Sequence, residues 1–252
     1  MTPRTVAIVQ ARVGSTRLPG KVLLPLLGEP MVTRVMRRVS RARTLDEVVL
    51  ATTTLPEDDA LVTLAGVEGW PVERGSETDL LARYLGAARS RSADVIVRIT
   101  SDCPLIDPEI IDQTVGAFRA GLADYASNTL EPRTFPRGLD VEVVGRAALE
   151  RADREDRDPA WREHATPYVY RHPELFKLVR VAAPDDRSEQ RWSVDTREDY
   201  ALVRELYEAL ARDDFGWLDA LVVVDANPDW GARNRGAIQK TVPPAAPDPP
   251  AA

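Results

Sequence analysis

Residues 6–21 read VAIVQARVGSTRLPGK and join a short apolar run to a loop with two glycines. The run at residues 6–10 is rich in β-branched side chains, which favours a buried strand. Gly14, Pro19 and Gly20 then mark a turn instead of a longer strand. The sequence therefore predicts a buried strand that leads directly into a functional loop.

Outward from this stretch, short apolar runs alternate with segments of helical periodicity. Strands that alternate with helices of this length imply βαβ units, and hence a mainly parallel sheet covered on both faces. The predicted class is therefore α/β. The predicted strands are residues 47–52, a short one near Val72 and residues 95–100, and the predicted helices are residues 31–39, 58–65, 78–90 and 108–118.

The second half of the chain is less regular. The segment at residues 139–144 alternates apolar and acidic residues, with Asp140 and Glu142 on one face, as in a half-exposed strand. The tail PPAAPDPPAA, residues 243–252, has little to bury and is predicted to be disordered. Helical patterns follow the strand at residues 146–153, 161–170 and 198–211.

Composition and charge exclude several classes of protein. The 252 residues are 44% hydrophobic and carry a formal net charge of −7, with scattered basic residues, so we expect no nucleic-acid partner. No run approaches the roughly 20 apolar residues of a membrane span, and the first apolar run is short, so we expect no signal peptide. A single cysteine, Cys103, agrees with a reducing compartment, so we expect a soluble, cytoplasmic protein without a membrane partner.

The loop after the first strand has the character of a phosphate-binding loop. Arg12, Arg17 and Lys21 alternate with glycine, serine and proline, so that backbone N–H groups and fixed cations can surround a triphosphate. It is not a Walker A loop, because Ser15 stands where that motif has glycine and Val22 where it has Ser or Thr. A surface loop with solvated arginines is the alternative.

Two aspartates follow predicted strands, where ligands bind in open parallel sheets. Asp102 lies in RITSDCPLID, residues 98–107, and Asp195 in RWSVDTRED, residues 191–199. Magnesium prefers oxygen ligands and usually takes one or two carboxylates. The alternatives are that Asp195 caps a helix and that Asp102 stabilises a turn.

The loop, SDCPLID and WSVDTRED together resemble the motifs of the SpsF-like cytidylyltransferases of spore coat polysaccharide biosynthesis. This family is related to the cytidylyltransferases for 3-deoxy-manno-octulosonate and acylneuraminates, and the likeness runs from about residue 6 to about residue 200. The resemblance implies a three-layer Rossmann-like fold of the nucleotide-diphospho-sugar transferase type. It also implies a magnesium-dependent enzyme that moves CMP from CTP to a sugar, sugar acid or other anionic acceptor and releases pyrophosphate. Ser101 departs from the family pattern, which usually has glycine there.

The resemblance also assigns site residues. It implies that Asp102 and Asp195 bind Mg²⁺ and that Arg12 and Lys21 join them in catalysis. It further implies that the segment RGSETD, residues 74–79, lies near base and ribose. The implied nucleotide contacts are Ala11, Arg12, Gly14, Ser15, Arg17, Lys21, Thr52, Thr53, Asp79, Arg98 and Thr100.

The acceptor is expected to bind in the second half of the chain. Asp140 and Glu142 in FPRGLDVEV match a family segment, although alternating charge on a strand is often only a solvated face. Arg162 and His164 in WREHATPYV are the other candidates, and a surface histidine is the alternative for His164. A sugar acid, a sialic-acid-like sugar, a polyol phosphate and a phosphonate all stay open as acceptors. The family allows a homodimer, for which the sequence offers no interface.

These assignments predict one nucleotidyltransferase domain over residues 1–242. Its nucleotide-binding half would cover about residues 1–130, and its acceptor-binding half about residues 131–242. The alternative is a glycosyltransferase of the GT-A type, which normally has a D-x-D metal motif. SDCP has one carboxylate, and Asp140-x-Glu142 is the nearest substitute. A non-catalytic nucleotide-binding module is the third hypothesis.

Overall fold

The structure, a computed structural model, describes residues 2–234, 236–237 and 242. The predicted disorder of the tail at residues 243–252 lies outside the described residues. The strands are β1 (Thr5–Gln10), β2 (Pro25–Leu26), β3 (Glu29–Pro30), β4 (Glu47–Thr53), β5 (Val72–Gly75), β6 (Val95–Thr100), β7 (Tyr125–Ser127), β8 (Glu142–Gly145) and β9 (Leu178–Arg180). The helices are α1 (Met31–Val39), α2 (Asp59–Glu68), α3 (Leu80–Ser90), α4 (Pro108–Ala120), α5 (Arg146–Glu155), α6 (Pro159–Arg162), α7 (Pro167–Tyr170), α8 (Arg197–Leu210), α9 (Trp217–Ala226) and α10 (Pro228–Ala232).

Seven strands form one sheet in the order β5-β4-β1-β6-β8-β7-β9, and β2 and β3 form a separate hairpin. β1 pairs in parallel with both β4 and β6, and β4 pairs in parallel with β5. β8 runs antiparallel to both of its neighbours. The α/β fold with a mainly parallel sheet is therefore confirmed, and strands from both halves of the chain share this sheet.

The alternation of side chains along β1 explains why helices cover both faces of the sheet. Val6 and Ile8 belong to one hydrophobic core, with residues of α3 and α5. Ala7 and Val9 belong to the other, with residues of α1, α4 and α8. Successive strand residues point to opposite faces, so a central strand buried on both sides must be apolar throughout. The result is the predicted three-layer arrangement.

Two predictions in the second half were wrong. The strand predicted at residues 139–144 begins only at Glu142, and it is buried instead of half-exposed because β6 and β7 flank it and cores cover both faces. The helix predicted at residues 161–170 is two short helices, α6 and α7. Ala165 between them has a φ of 68°, and Pro167 begins α7, so one continuous helix is excluded.

Arg38 on α1 connects three segments inside the core. Its side chain is fully buried, and it donates hydrogen bonds to the carbonyl oxygens of Leu105, Ile106, Asp213 and Phe215 at 2.7–3.4 Å. The guanidinium carbon also lies 4.2 Å from the centre of the Phe215 ring. A buried charge that satisfies several carbonyl groups is expensive to remove.

We expect Arg38→Met to lower the free energy of unfolding by about 3–5 kcal/mol, because the buried carbonyl groups of Leu105, Ile106 and Phe215 lose a donor. Urea unfolding followed by circular dichroism measures this change. Arg43→Met is the control, because the Arg43 side chain is 85% exposed and its loss should cost less than about 1 kcal/mol. Equal stability of the two variants would contradict the structural role of Arg38.

Within the described residues, none of the helices combines the length and the apolar character needed to cross a membrane.

Candidate active site

A cavity of about 230 Å³ opens at the carboxyl ends of β1 and β6. The loop after β1 lies on one side of it, and the start of α3 on another. Open parallel sheets bind ligands at this edge. The cavity is lined by Gln10, Ala11, Arg12, Gly14, Ser15, Thr16, Arg17, Lys21, Val22, Glu77, Leu80, Arg83, Arg98, Thr100, Ser101, Asp102, Glu163, His164 and Asp195.

The loop after β1 is held in a compact turn by its own backbone. The N–H groups of Ser15 and Gly20 both donate to the Val13 carbonyl oxygen, at 2.9 and 3.1 Å. Gly20 has a φ of 69°, in the left-handed region that glycine adopts without strain. The Val13 N–H donates to the Asp58 carboxylate at 2.7 Å, which joins the loop to the neighbouring segment. This geometry brings the cations of the loop to one side of the cavity.

Lys21 joins the two predicted metal aspartates. Its ammonium lies 2.8 Å from Asp102 Oδ2 and 2.9 Å from Asp195 Oδ1, and it also donates to the Val194 carbonyl oxygen at 2.8 Å. The Val194 N–H donates to the Asp102 carbonyl oxygen at 2.8 Å, which fastens the two aspartate segments together. Arg17 contributes a second cation, 2.7 Å from Asp195 Oδ1. The structure thus brings together Lys21 and two carboxylates that are far apart in sequence.

The charges of this cluster shift the pKa values of its members. Burial would raise the pKa of the Asp102 carboxyl, but the adjacent Lys21 ammonium outweighs it and lowers the pKa to about 2. Burial would likewise lower the pKa of Lys21, and the carboxylates of Asp102 and Asp195 raise it instead. The Asp102 carboxylate is therefore ionised at neutral pH, as a divalent cation requires.

Asp195 is held in place by Arg191 and Asp199. Arg191 Nη2 donates to Asp195 Oδ2 at 2.8 Å, and the Asp195 N–H donates to Asp199 at 2.9 Å. Thr196 is the N-cap of α8, and its hydroxyl accepts a hydrogen bond from the Asp199 N–H. The helix-capping alternative for Asp195 is therefore wrong, and Asp195 lines the cavity with its carboxylate paired to Lys21, Arg17 and Arg191.

The donor chemistry of the cluster fits a magnesium ion. Both carboxylates already lie within hydrogen-bond distance of one ammonium, so they can gather around one cation. In the part of the chain that the structure describes, no group of three or more His, Cys, Asp or Glu side chains is arranged to hold a metal. Magnesium commonly takes one or two carboxylates and fills its octahedron with water and phosphate oxygens.

Several predicted nucleotide contacts lie beneath the cavity instead of lining it, as far as the described residues go. Thr52 and Thr53 are fully buried at the end of β4. The Thr53 hydroxyl donates to Asp58, the carboxylate that holds the loop after β1. Asp79 accepts from the Ala82 N–H at 2.9 Å and caps α3. Thr53 and Asp79 support the walls of the cavity through these hydrogen bonds, whereas the Thr52 hydroxyl is buried and meets no hydrogen-bond partner among the described residues.

The structure does not bring the predicted acceptor contacts Asp140 and Glu142 into the cavity. Glu142 forms a buried ion pair with Arg98 and accepts from the Tyr125 hydroxyl at 2.7 Å. Asp140 forms an ion pair with Arg133. Arg98 does line the cavity, so Glu142 acts through it: the carboxylate neutralises and orients the guanidinium.

Of the predicted pair in WREHATPYV, His164 lines the cavity and Arg162 does not. Arg162 Nη2 lies 2.7 Å from Asp79 and 2.8 Å from Asp153. It also donates to the carbonyl oxygens of Asp153 and Asp156 at 3.3 Å. Arg162 therefore fastens the segment that carries His164 to the start of α3 and the end of α5.

The sequence did not single out Leu80, Arg83 or Glu163 as lining residues, and it indicated Glu77 only as part of the segment RGSETD. Glu163 is adjacent to His164 and could have been included with it. Leu80 and Arg83 are three residues apart, and helical spacing places such residues on one face of α3. The helix was predicted, but nothing local to it showed that this face meets the cavity.

Comparison with known proteins identifies the family. The family model described as cytidylyltransferase matches residues 6–215. The chain belongs to this cytidylyltransferase family. The assignment confirms the predicted class of function, transfer of CMP from CTP, and does not favour the glycosyltransferase alternative.

Individual relatives agree with the assignment. The spore coat polysaccharide biosynthesis protein SpsF of Bacillus subtilis is 35% identical and covers 88% of this chain and 94% of its own length. A cytidylyltransferase structure from Leptospira borgpetersenii serovar Hardjo-bovis has a TM-score of 0.88 and 35% identity, and covers 95% of this chain and 100% of its own. A 3-deoxy-manno-octulosonate cytidylyltransferase of Anaeromyxobacter is 35% identical over 151 residues, 56% of this chain and 58% of that protein.

Proposed function

We propose that this cytidylyltransferase uses Mg²⁺ to transfer CMP from CTP to an oxygen of a sugar, sugar acid or other anionic acceptor, with release of pyrophosphate. The single observation that carries the proposal is the meeting of Asp102 and Asp195 at the Lys21 ammonium, beside a phosphate-type loop. The names of SpsF and of the 3-deoxy-manno-octulosonate enzymes support an acceptor used in polysaccharide biosynthesis.

In the proposed reaction, an acceptor hydroxyl oxygen forms a bond to the α-phosphorus of CTP. The bond from that phosphorus to the oxygen bridging to the β-phosphorus breaks, and pyrophosphate leaves with the electron pair. Arg12, Arg17 and Lys21 stabilise the negative charge on the departing phosphates. Most of the rate enhancement then comes from position and charge, so a side-chain nucleophile is not required.

Asp102 and Asp195 would hold the Mg²⁺ through carboxylate oxygens, and the bound ion would supply positive charge against the phosphates. His164 lines the same cavity and is the candidate to accept the proton of the acceptor hydroxyl. Thr100 and Ser101, at the end of β6, offer hydroxyl groups to the nucleotide or to the acceptor. Glu142 contributes by holding Arg98, and Arg162 by holding the segment that carries His164, whereas Asp140 pairs with Arg133 and has no part in the proposed reaction.

Release of pyrophosphate tests this function. The purified protein is incubated with CTP, MgCl₂ and a panel of a sugar acid, a sialic acid, a polyol phosphate and a phosphonate. We expect one acceptor to raise pyrophosphate release well above the acceptor-free level, and EDTA to abolish it. UTP and GTP in place of CTP test the choice of base.

Two outcomes would contradict the proposal. Nucleoside diphosphate released from a nucleotide sugar, with no pyrophosphate from CTP, would favour the glycosyltransferase. Binding of CTP without turnover by any acceptor would favour the non-catalytic module.

The proposal includes a cytoplasmic location and allows a homodimer. The single cysteine, Cys103, is buried, in keeping with a protein that needs no disulfide. Light scattering on the purified protein would measure its oligomeric state.

A further inference from the structure

Arg83 is a cation of the cavity for which the proposed reaction has no use. It lies on α3, is 6% exposed and lines the cavity. Its Nη1 donates to the Ser76 carbonyl oxygen at 3.0 Å, while its Nε is buried without a partner. Among the described residues no carboxylate lies within ion-pair distance of it. A guanidinium has five N–H donors, so a buried one in this state lacks acceptors that a ligand could supply.

The surrounding backbone is shaped to keep Arg83 in this position. Gly75 ends β5, and a Cβ added there would lie 2.9 Å from Arg83 Cγ and 3.1 Å from Arg83 Cβ. Glycine at this position therefore allows α3 to approach β5 closely. Because the guanidinium is held away from solvent, burial lowers the pKa of Arg83.

The position of Arg83 in the cavity indicates which part of a nucleotide it meets. Lys21 and the two aspartates mark the end where the transferred phosphate belongs. Arg12, from the phosphate-type loop, lies 3.5 Å from Glu77, just before the start of α3. The base, at the other end of the nucleotide, therefore belongs beside α3. There Leu80 offers an apolar surface to a flat ring, and Arg83, one helical turn further, offers donors to its edge.

On the basis of the function proposed above, we propose that Arg83 recognises the cytosine ring of CTP. Cytosine has two adjacent acceptors, O2 and N3, and a guanidinium can donate to both at once. Uracil has O2 but carries a hydrogen on N3, so a donor of the protein would face a donor of the base. Arg83 thus selects CTP over UTP at the N3 position.

Calorimetric titration with CTP and with UTP, each with MgCl₂, tests this role without needing the acceptor. We expect Arg83→Met to weaken CTP binding by about 10- to 100-fold and UTP binding by less than about threefold, so that the preference for CTP is largely lost. Arg83→Lys keeps the charge but not the planar fork, and it should also lose the preference. Arg89→Met is the control, since Arg89 lies on the same helix with a side chain that is 57% exposed.

The possible outcomes separate this inference from the proposed function. An equal loss of CTP and UTP binding would mean that Arg83 binds phosphate, and it would overturn the inference. A wild-type preference for CTP over UTP in Arg83→Lys would overturn the inference as well. If Arg83→Met does not fold, Arg83→Lys alone decides the test. A wild-type protein without preference for CTP would contradict the proposed donor itself, and with it this role of Arg83.

Discussion

Asp102→Asn is expected to lower the rate of pyrophosphate release from CTP by at least about a thousandfold. The amide keeps the size of the side chain but removes the negative charge that Lys21 balances and that a divalent cation needs. A group that stabilises charge during reaction in a protected site commonly contributes a factor of 10² to 10³, and the loss of a metal ligand adds to it. The measurement is kcat and KM for CTP at saturating MgCl₂.

The control for this variant must change charge without touching the cavity. Asp214→Asn does so, because the Asp214 side chain is 72% exposed and its Arg212 partner lies 3.8 Å away. Its activity should match the wild type. Circular dichroism confirms that Asp102→Asn is folded. A folded Asp102→Asn variant with a tenth or more of wild-type activity would remove Asp102 from the reaction.

Lys21→Met is expected to lower kcat/KM for CTP by about 10²- to 10³-fold. The variant loses a cation of the phosphate loop, and it leaves Asp102 and Asp195 without the ammonium that now lies between them. The pKa of Asp102 should rise from its low value, because Lys21 is what lowers it against the effect of burial. Steady-state kinetics with CTP measure the loss of activity, and NMR titration of the Asp102 carboxyl measures the change in pKa.

Lys177→Met is the matched control, since Lys177 is an exposed lysine at the opening of β9. Lys21→Arg keeps the charge, and we expect it to recover part of the activity but not all, because the guanidinium is larger and planar. Wild-type kcat/KM in Lys21→Met would contradict the role of Lys21. An unchanged Asp102 pKa would contradict the coupling between the two groups.

The fold of the first half could be read from short stretches of sequence. The apolar run of β1 and the amphipathic spacing of α1, α3 and α4 are local patterns, and each element has enough residues to show its period. β7 and β9 have three residues each, and β2 and β3 two each, too few for any pattern to appear. For this reason, these four strands were not predicted.

In the candidate site, too, some residues could be predicted from local sequence and others could not. The loop cations and Asp102 follow strands in sequence, and parallel strands place such residues at one edge of the sheet. Motifs in the sequence therefore indicated the candidate cluster, and the structure shows Lys21 and Arg17 in contact with its aspartates. Glu142 was expected on an exposed face because its strand alternates in charge, whereas the actual face is buried against Arg98.

The sequence by itself predicted the class of fold and the phosphate-type loop from local period and motif, and the pair of aspartates from its resemblance to a family. The tertiary structure alone decided which polar side chains reach the cavity. Arg162 pairs with Asp79 across 83 residues of chain, and Arg98 with Glu142 across 44. Residues this far apart in sequence come into contact only when the sheet and helices pack together. The same packing places Arg83 at the cavity with an Nε that has no hydrogen-bond partner among the described residues.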